Sequence, residues 1–460
     1  MIAPAPAAAA SASSVDELPP PETPLPPTPI AWRLALAAGV AALGGTAYLL
    51  HATLGHRFQA GMGILCFLGI AACVSKSLQS VSRKTLLWGI GLQFALAVAV
   101  IHVKEVQVVF VAIGVGIKAL IAASDKGGEF VFGSLSKEDG PAGFVFAFKA
   151  LPPILFVSSF FSVLYYFGVL QFFVKLMARA MMYLMGTSGA ETLSVSANVF
   201  MGQTEAPLIV KPFVPRMTKS ELLALMGSGM AHISGGMMAL YISYGADPVS
   251  ILATCVMACP CSLYLTKLVL PEAGKPVTAG TAPITVETAY VNAVDAAASG
   301  VKDGLWLALN VAAMLIGFIA FIALIDIMLD GIWHGMKLET IFGWIFSPVA
   351  FLIGVDPSEC NKVGTLLGIK LAANEHVAYL SLGGKLDGTA HFKELSERSR
   401  LLAVYALTGF ANFASVGIQL GGIGALAPSR RADLARLGMK ALFVGFLATL
   451  INAAVAGLLM

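Results

Sequence analysis

Two stretches put carboxylates and amides where apolar residues otherwise dominate. The first is Asn198-Val199-Phe200-Met201-Gly202-Gln203-Thr204-Glu205-Ala206-Pro207, with one carboxylate, two amides and a hydroxyl within ten positions. The second, Lys370-Leu371-Ala372-Ala373-Asn374-Glu375-His376-Val377, again sets an Asn-Glu pair inside an apolar run. A charged side chain at bilayer depth costs about 2.5–3.5 kcal/mol on insertion scales, so an intramembrane Glu is a functional candidate by default. Gly202 and Pro207 bracket Glu205 and break regular helix there. Irregular backbone at that depth survives only where it lines a cavity or is packed in protein. The expected structure is a hairpin tip that offers polar groups to a solute.

Each acidic stretch is followed by a long apolar segment with small and polar residues in its middle. These are Gly229-Met230-Ala231-His232-Ile233-Ser234-Gly235 and Gly409-Phe410-Ala411-Asn412-Phe413-Ala414-Ser415, which overlay with His232 on Asn412. Interrupted segments at matching places in two halves point to the binding site of a secondary transporter. The fold expected is an all-α polytopic membrane protein. It is an inverted repeat of re-entrant hairpin plus broken helix, divided into scaffold and transport domains.

Composition supports this. The chain has 460 residues, 57% hydrophobic and only 12% charged, which places it among polytopic membrane proteins. A net charge of +3, scattered along the chain, is too small to point to nucleic acid, and no nucleic-acid partner is expected. The six cysteines read as small packing residues, because Cys259-Pro260-Cys261 has neither metal nor redox spacing. There is no His-Glu-x-x-His, Gly-x-Ser-x-Gly or paired metal-Asp motif, which argues against an enzyme. No organic cofactor is expected.

Six segments are expected. Residues 1–30, rich in Pro and Ala, form a disordered tail that is retained, lacking the features of a signal peptide. Residues 31–56 form an extra amino-terminal span. Residues 57–186 hold scaffold spans and two interfacial helices, about 106–135 and 171–183, with Pro152-Pro153 capping or kinking the span between them. Residues 187–270 form transport repeat 1. Residues 271–337 comprise a polar loop, an interfacial helix and a scaffold helix. Residues 338–460 form transport repeat 2, its hairpin region built from 341–355 and 363–382. Lys76, Arg83 and Lys84, then Lys211, Arg216 and Lys219, then Arg430, Arg431, Arg436 and Lys440 mark cytoplasmic turns. That count puts the amino terminus in the cytoplasm, the carboxyl terminus in the periplasm, and the two hairpins on opposite faces of the inner membrane.

The stretch Ala197–Leu208 closely resembles the signature of the concentrative nucleoside transporters. So do Phe130-Val131-Phe132-Gly133, Val294-Asp295-Ala296-Ala297-Ala298-Ser299-Gly300, Asn374-Glu375, Gly409-Phe410-Ala411-Asn412 and the run Ala427–Asp433. The resemblance covers about Phe58 to the carboxyl terminus. It implies a homotrimer in lipid that symports nucleosides with sodium or protons. It also implies that Gln203, Thr204 and Glu205 bind the base, with Met237 packed on it. Glu375, Asn412 and Ser415 would bind the ribose, with Phe410 packed on it. The coupling cation would sit at Asn198, Met201, His232 and Ile233. Sodium-coupled members carry a small hydroxyl residue where His232 stands. Imidazole is a poor substitute for an oxygen ligand of sodium and a natural proton carrier. The expectation is therefore proton coupling through His232 or a site carboxylate, ahead of sodium coupling. The nearest competing reading is a carrier of another polar solute such as a free nucleobase.

Overall fold

The computed structural model describes residues 21–137, 145–280, 290–386 and 388–460. Among them every regular element is helical, and eight helices are long and apolar enough to cross a membrane. Residues 1–20 of the expected tail and 281–289 of the expected polar loop lie outside the described residues.

Residues 21–29 belong to no regular element but are hydrogen-bonded ahead of the first helix. Thr23 N–H donates to the Ala273 carbonyl at 2.8 Å, and Glu22 pairs with Lys219 at 3.1 Å. Buried Thr28 donates from Oγ1 to the Ser75 carbonyl and accepts the Leu78 N–H at 2.9 Å. Helix α1 (Ile30–Cys73) doubles back at Gly55, whose φ of 77° is open to glycine at little cost. The reversal is visible in its contacts: Cys66 reaches the Val40 carbonyl, and Cys73 the Arg33 carbonyl. The expected extra span and the span after it are thus the two arms of one helical hairpin.

Helices α2 (Arg83–His102) and α3 (Lys104–Phe132) follow. The α3 segment, expected along the interface, is one continuous helix of 29 residues, a length that also suffices to span. After the short α4 (Phe146–Lys149), Pro152 and Pro153 sit in the first turn of α5 (Leu151–Tyr166), where their missing N–H groups cost no helix bond. Helix α6 (Val169–Met185) buries Leu170, Val174, Ala178 and Met181 and exposes Phe172, Phe173, Leu176 and Tyr183, an amphipathic face suited to an interface.

Repeat 1 begins with α7 (Gly189–Ala197), then an irregular tip, then a tight 3₁₀ arm at Ala206–Arg216. Pro207, Pro212 and Pro215 in that arm remove backbone donors that an α-helix would use. Next come α8 (Lys219–Ala231) and α9 (Gly235–Ser243), two halves of one helix interrupted at 232–234, and α10 (Pro248–Val269). Helix α11 (Ala293–Ile332) packs along α5. A Cβ at Gly300 would lie 2.6 Å from Ser159 Cα and one at Gly304 would lie 2.9 Å from Leu155 Cα, so this spacing of small residues lets the two backbones touch.

Helix α12 (Leu338–Leu352) lies against α13 (Cys360–Ala372) across Gly364 and Gly368. The second hairpin is α13 and α14 (Glu375–Leu382), so the half-length segment at 341–355 is a neighbour of the hairpin rather than one of its arms. Repeat 2 ends with the half-helices α15 (Glu397–Leu407) and α16 (Phe413–Leu426) and the long α17 (Arg431–Leu459). Along α13, Lys370 reaches Ala406; along α14, Glu375 reaches Asn412 and Tyr379 reaches Val404. The two arms therefore run in opposite directions beside α15, which makes the segment a true hairpin.

Two polar faces close the molecule. On one, Arg430 donates to the Pro215 and Met217 carbonyls, and Thr218 to Glu272. On the other, Arg57 donates to the Met460 carbonyl, Arg398 to Gly457, and Ser396 to Glu359. The first hairpin opens on the first face and the second on the other, as an inverted repeat requires.

Candidate functional site

Three half-helices begin at the centre of the molecule, and each has a polar residue at its amino-terminal cap. Ser234 caps α9, Asn374 caps α14 by accepting the Val377 N–H at 2.9 Å, and Asn412 caps α16 by accepting the Ser415 N–H at 2.8 Å. Helix amino termini carry partial positive charge and free N–H groups, so their convergence favours electron-rich atoms. The caps also correct the overlay of the two repeats. Ser234 corresponds to Asn412, not His232, because the break in repeat 2 is two residues longer. The breaks are joined to each other: Phe410 N–H donates to the His232 carbonyl at 3.1 Å, and Gly235 N–H to the Phe200 carbonyl of the first tip at 3.1 Å.

A continuous hydrogen-bonded chain links four of the expected substrate residues. Gln203 Nε2 donates to Ser415 Oγ at 3.2 Å. Asn412, which accepts the Ser415 N–H, donates from Nδ2 to Glu375 Oε2 at 2.8 Å. Tyr241 Oη donates to Glu375 Oε1 at 2.8 Å. At the far end, Gln419 Nε2 holds Gln203 Oε1 at 3.2 Å and the Met226 carbonyl at 2.9 Å. All of these side chains are buried. The Tyr241 ring stacks on Tyr379 with centroids 4.2 Å apart, and Tyr379 is fixed by the Val404 carbonyl in α15 and by Thr408, the residue that ends that helix. Glu375 is thus aimed by hydrogen bonds and packing from both repeats, and Lys370 makes no ion pair with it.

Glu205 stands apart from this chain. Its Oε2 accepts the Gly202 N–H at 3.0 Å and it makes no ion pair within 4 Å. It lines a cavity of about 650 Å³ between the first hairpin and α5, with Phe161, Tyr165, Phe213, Lys211 and Asp303. That volume falls within the ~300–1,000 Å³ usual for small-ligand sites. Thr204 packs against Gly422, where a Cβ would come within 2.5 Å of Thr204 Cγ2. Met237 is buried in the first turn of α9, and Phe410 is half-buried in the break before α16.

The expected cation residues form a second group. His232 Nδ1 lies 2.7 Å from the Ser228 carbonyl, and Nε2 lies 3.3 Å from Cys259 Sγ. With Nδ1–H donating to the carbonyl, Nε2 is left to accept from the thiol. Asn198 Nδ2 donates to Ser228 Oγ at 2.9 Å, while its buried Oδ1 accepts no hydrogen bond. Met201 lines the large cavity, and Ile233 is buried in the break. Among the described residues no three His, Cys, Asp or Glu side chains gather as a metal site.

Sequence reasoning missed Tyr241, Tyr379 and Gln419. Two of them had a readable signal. Tyr241 follows the cap residue Ser234 by two turns, and Gln419 follows Ser415 by one turn, so each extends a polar face along an otherwise apolar helix.

Comparison with known proteins decides the family. Residues 62–135, 147–248 and 250–457 match the models "Na+ dependent nucleoside transporter N-terminus", "Nucleoside recognition" and "Na+ dependent nucleoside transporter C-terminus". An uncharacterised transporter of Haemophilus influenzae is 40% identical over 403 residues, covering 86% of this chain and 96% of that one. The chain belongs to the concentrative nucleoside transporter family. Sodium/nucleoside cotransporter 1 of mouse is also 40% identical, and this chain spans 63% of its length. Among solved structures, CNTnw in an inward-facing substrate-bound state superposes with a TM-score of 0.80 at 36% identity, covering 88% of this chain and 98% of that one. An outward-facing variant of CNTnw gives 0.82 at 37% identity, covering 88% and 97%. The family comprises membrane transporters, not enzymes.

Proposed function

We propose that this protein is a cation-coupled symporter that imports nucleosides across the inner membrane. The observation that carries this is the chain Gln419–Gln203–Ser415–Asn412–Glu375–Tyr241 at the meeting point of three helix amino termini. A carboxylate held in that way is a strong acceptor for vicinal sugar hydroxyls. Asn412 and Ser415 complete the ribose side, with Phe410 against the sugar. Gln203, Thr204 and Glu205 take the base edge, where an amide and a carboxylate offer both donors and acceptors, with Met237 against the ring.

Packing supports a division into two bodies. Helix α5 packs against both α3 and α11, while α8, α10, α13, α15 and α17 form the other cluster. The second arm of α1 and α2 pack on α17 and α10 respectively, so they travel with the transport body rather than with the scaffold expected for residues 57–186. The scaffold carries the homotrimer contacts, and the basic face near Arg430 is cytoplasmic, with the carboxyl terminus in the periplasm.

Two readings of the coupling cation each have an observation behind them. Proton coupling rests on His232 in place of a hydroxyl residue and on Glu205 open to the cavity. Sodium coupling rests on the unpaired, buried Oδ1 of Asn198, an oxygen of the kind a hard cation takes, and on the sodium named in mammalian relatives. On the first reading either His232→Gln or Glu205→Gln abolishes the pH dependence of uptake; on the second neither does. Asn198→Ala raises the half-saturating sodium concentration on the second and leaves uptake sodium-independent on the first.

The substrate class is tested by competition. Nucleosides should compete for uptake, and analogues lacking ribose hydroxyls should compete less well, because a polar group left unpaired at Glu375 costs about 1–3 kcal/mol. Equal competition by free nucleobases would contradict the assignment.

A further inference from the structure

The hydrogen-bonded chain around Glu375 has a direction, and a residue outside the expected site sets part of it. A side-chain amide can be turned end for end, so the atom it presents depends on its fixed neighbours. The Met226 carbonyl in α8 can only accept, so the atom of Gln419 that lies 2.9 Å from it is Nε2. That same Nε2 lies 3.2 Å from the Gln203 amide, which must therefore answer with Oε1. The Nε2 of Gln203 is left to face Ser415 Oγ at 3.2 Å. Gln419 is fully buried, and its own Oε1 accepts no hydrogen bond among the described residues, so the two donated bonds are what hold it.

The other partner of Gln203 does not fix the amide. Ser415 meets it with a hydroxyl, which donates as readily as it accepts. Turned over, Gln203 would still bond Ser415, with Oε1 accepting from the hydroxyl. The amino group of Gln419 forbids this, because two amino groups would then face each other. Packing serves the same contact. At Gly229 in α8 a Cβ would lie 2.7 Å from Gln419 Nε2 and 2.9 Å from Gln203 Cβ, so a side chain there would push the two amides away.

One N–H of Gln203 Nε2 goes to Ser415, and the other is free for a substrate. Ser415 adjoins Asn412 and Glu375 on the ribose side, whereas Glu205 stands apart in the cavity. Gln203 therefore meets the base close to its bond with the sugar. There the common bases all offer an acceptor, N3 of a purine or O2 of a pyrimidine. We propose that Gln419 is a positioning residue that locks the Gln203 amide as a donor, aimed at this shared acceptor. The lock reads a feature common to purine and pyrimidine nucleosides and so admits both. The inference rests on the base-binding reading of Gln203.

The experiment measures binding to the purified full-length chain by calorimetry. The ligands are adenosine, 3-deazaadenosine, in which C–H replaces N3, and 1-deazaadenosine, in which the same change lies far from the sugar. The wild type should bind 3-deazaadenosine about 5- to 150-fold more weakly than adenosine, since the Gln203 N–H loses its acceptor. In Gln419→Met, which keeps the length but removes the donor, Gln203 is free to turn. Adenosine should then weaken toward 3-deazaadenosine and their ratio fall to near one, while the ratio of adenosine to 1-deazaadenosine stays as in the wild type. A purely structural role would weaken all three ligands alike; an unchanged first ratio overturns the proposal. Equal binding of adenosine and 3-deazaadenosine by the wild type also overturns it, and this measurement decides alone if Gln419→Met fails to fold. Gln203→Ala separates the two levels. If it leaves adenosine affinity unaltered, the base-binding reading fails and the proposal with it. If it erases the 3-deazaadenosine penalty while Gln419→Met keeps it, the proposal alone fails.

Discussion

At the scale of single residues, Glu375 is the most constrained group. Both of its oxygens accept hydrogen bonds, one from Tyr241 Oη and one from Asn412 Nδ2, each at 2.8 Å. Glu375→Gln turns one acceptor into a donor facing a donor. Leaving a buried partner unpaired costs about 1–3 kcal/mol, or about 5- to 150-fold in affinity. Nucleoside binding measured by calorimetry should weaken by that amount, with little change in the base preference; an unaltered dissociation constant would contradict the ribose role. Much of this site was legible as residue types. Glu375, Asn412, Ser415 and Gln203 stood out because polar groups are costly in apolar runs, and they do meet. What the sequence could not show is the order of their bonds, or that Gln419 and Tyr241 would close the chain at its ends, since that depends on the register of helices far apart in the chain.

At the scale of elements, the breaks matter more than the helices. Gly409 adopts φ 146°, a conformation side-chain-bearing residues rarely reach. A Cβ there would lie 2.7 Å from Thr449 Cγ2 and 3.0 Å from the Met230 carbonyl. Gly409→Ala should therefore strain the crossing of the two broken helices, by about 1–3 kcal/mol for the backbone alone. The expected outcome is a lower melting temperature in detergent together with reduced uptake; an unchanged melting temperature would mean the crossing is looser than the geometry indicates. The interruptions themselves were readable from glycine and polar residues in apolar segments. Their exact lengths were not: the polar residues alone overlay His232 on Asn412, whereas the caps align Ser234 with it. Helix caps depend on backbone turns of a few residues, and apolar periodicity does not resolve those. The second hairpin shows the same limit: a half-length apolar segment at 341–355 reads like an arm, and only packing across Gly364 and Gly368 reveals α12 as a neighbour.

At the scale of the whole molecule, the amino-terminal segment ties the doubled-back first helix to the rest. A Pro-rich composition gave no sign that residues 21–29 would be held, because their bonds are to backbone groups of distant loops. Thr28→Val removes a donor to Ser75 and the acceptor for Leu78 N–H, so it should lower the melting temperature while leaving uptake kinetics intact. A change in transport rate without a change in stability would instead assign the segment a role in the cycle. The wider architecture was legible because span lengths and the repeated hairpin pattern are global signals that no single contact can override. The grouping of helices was less so, since helices consecutive in sequence, such as α2 and α3, pack mainly on different partners, α10 and α5. The most direct test of the account is accumulation of labelled uridine and adenosine in proteoliposomes under separately imposed sodium and proton gradients. The account predicts concentrative uptake driven by at least one of the two gradients and abolished when it is collapsed; equilibration without accumulation under both would contradict it.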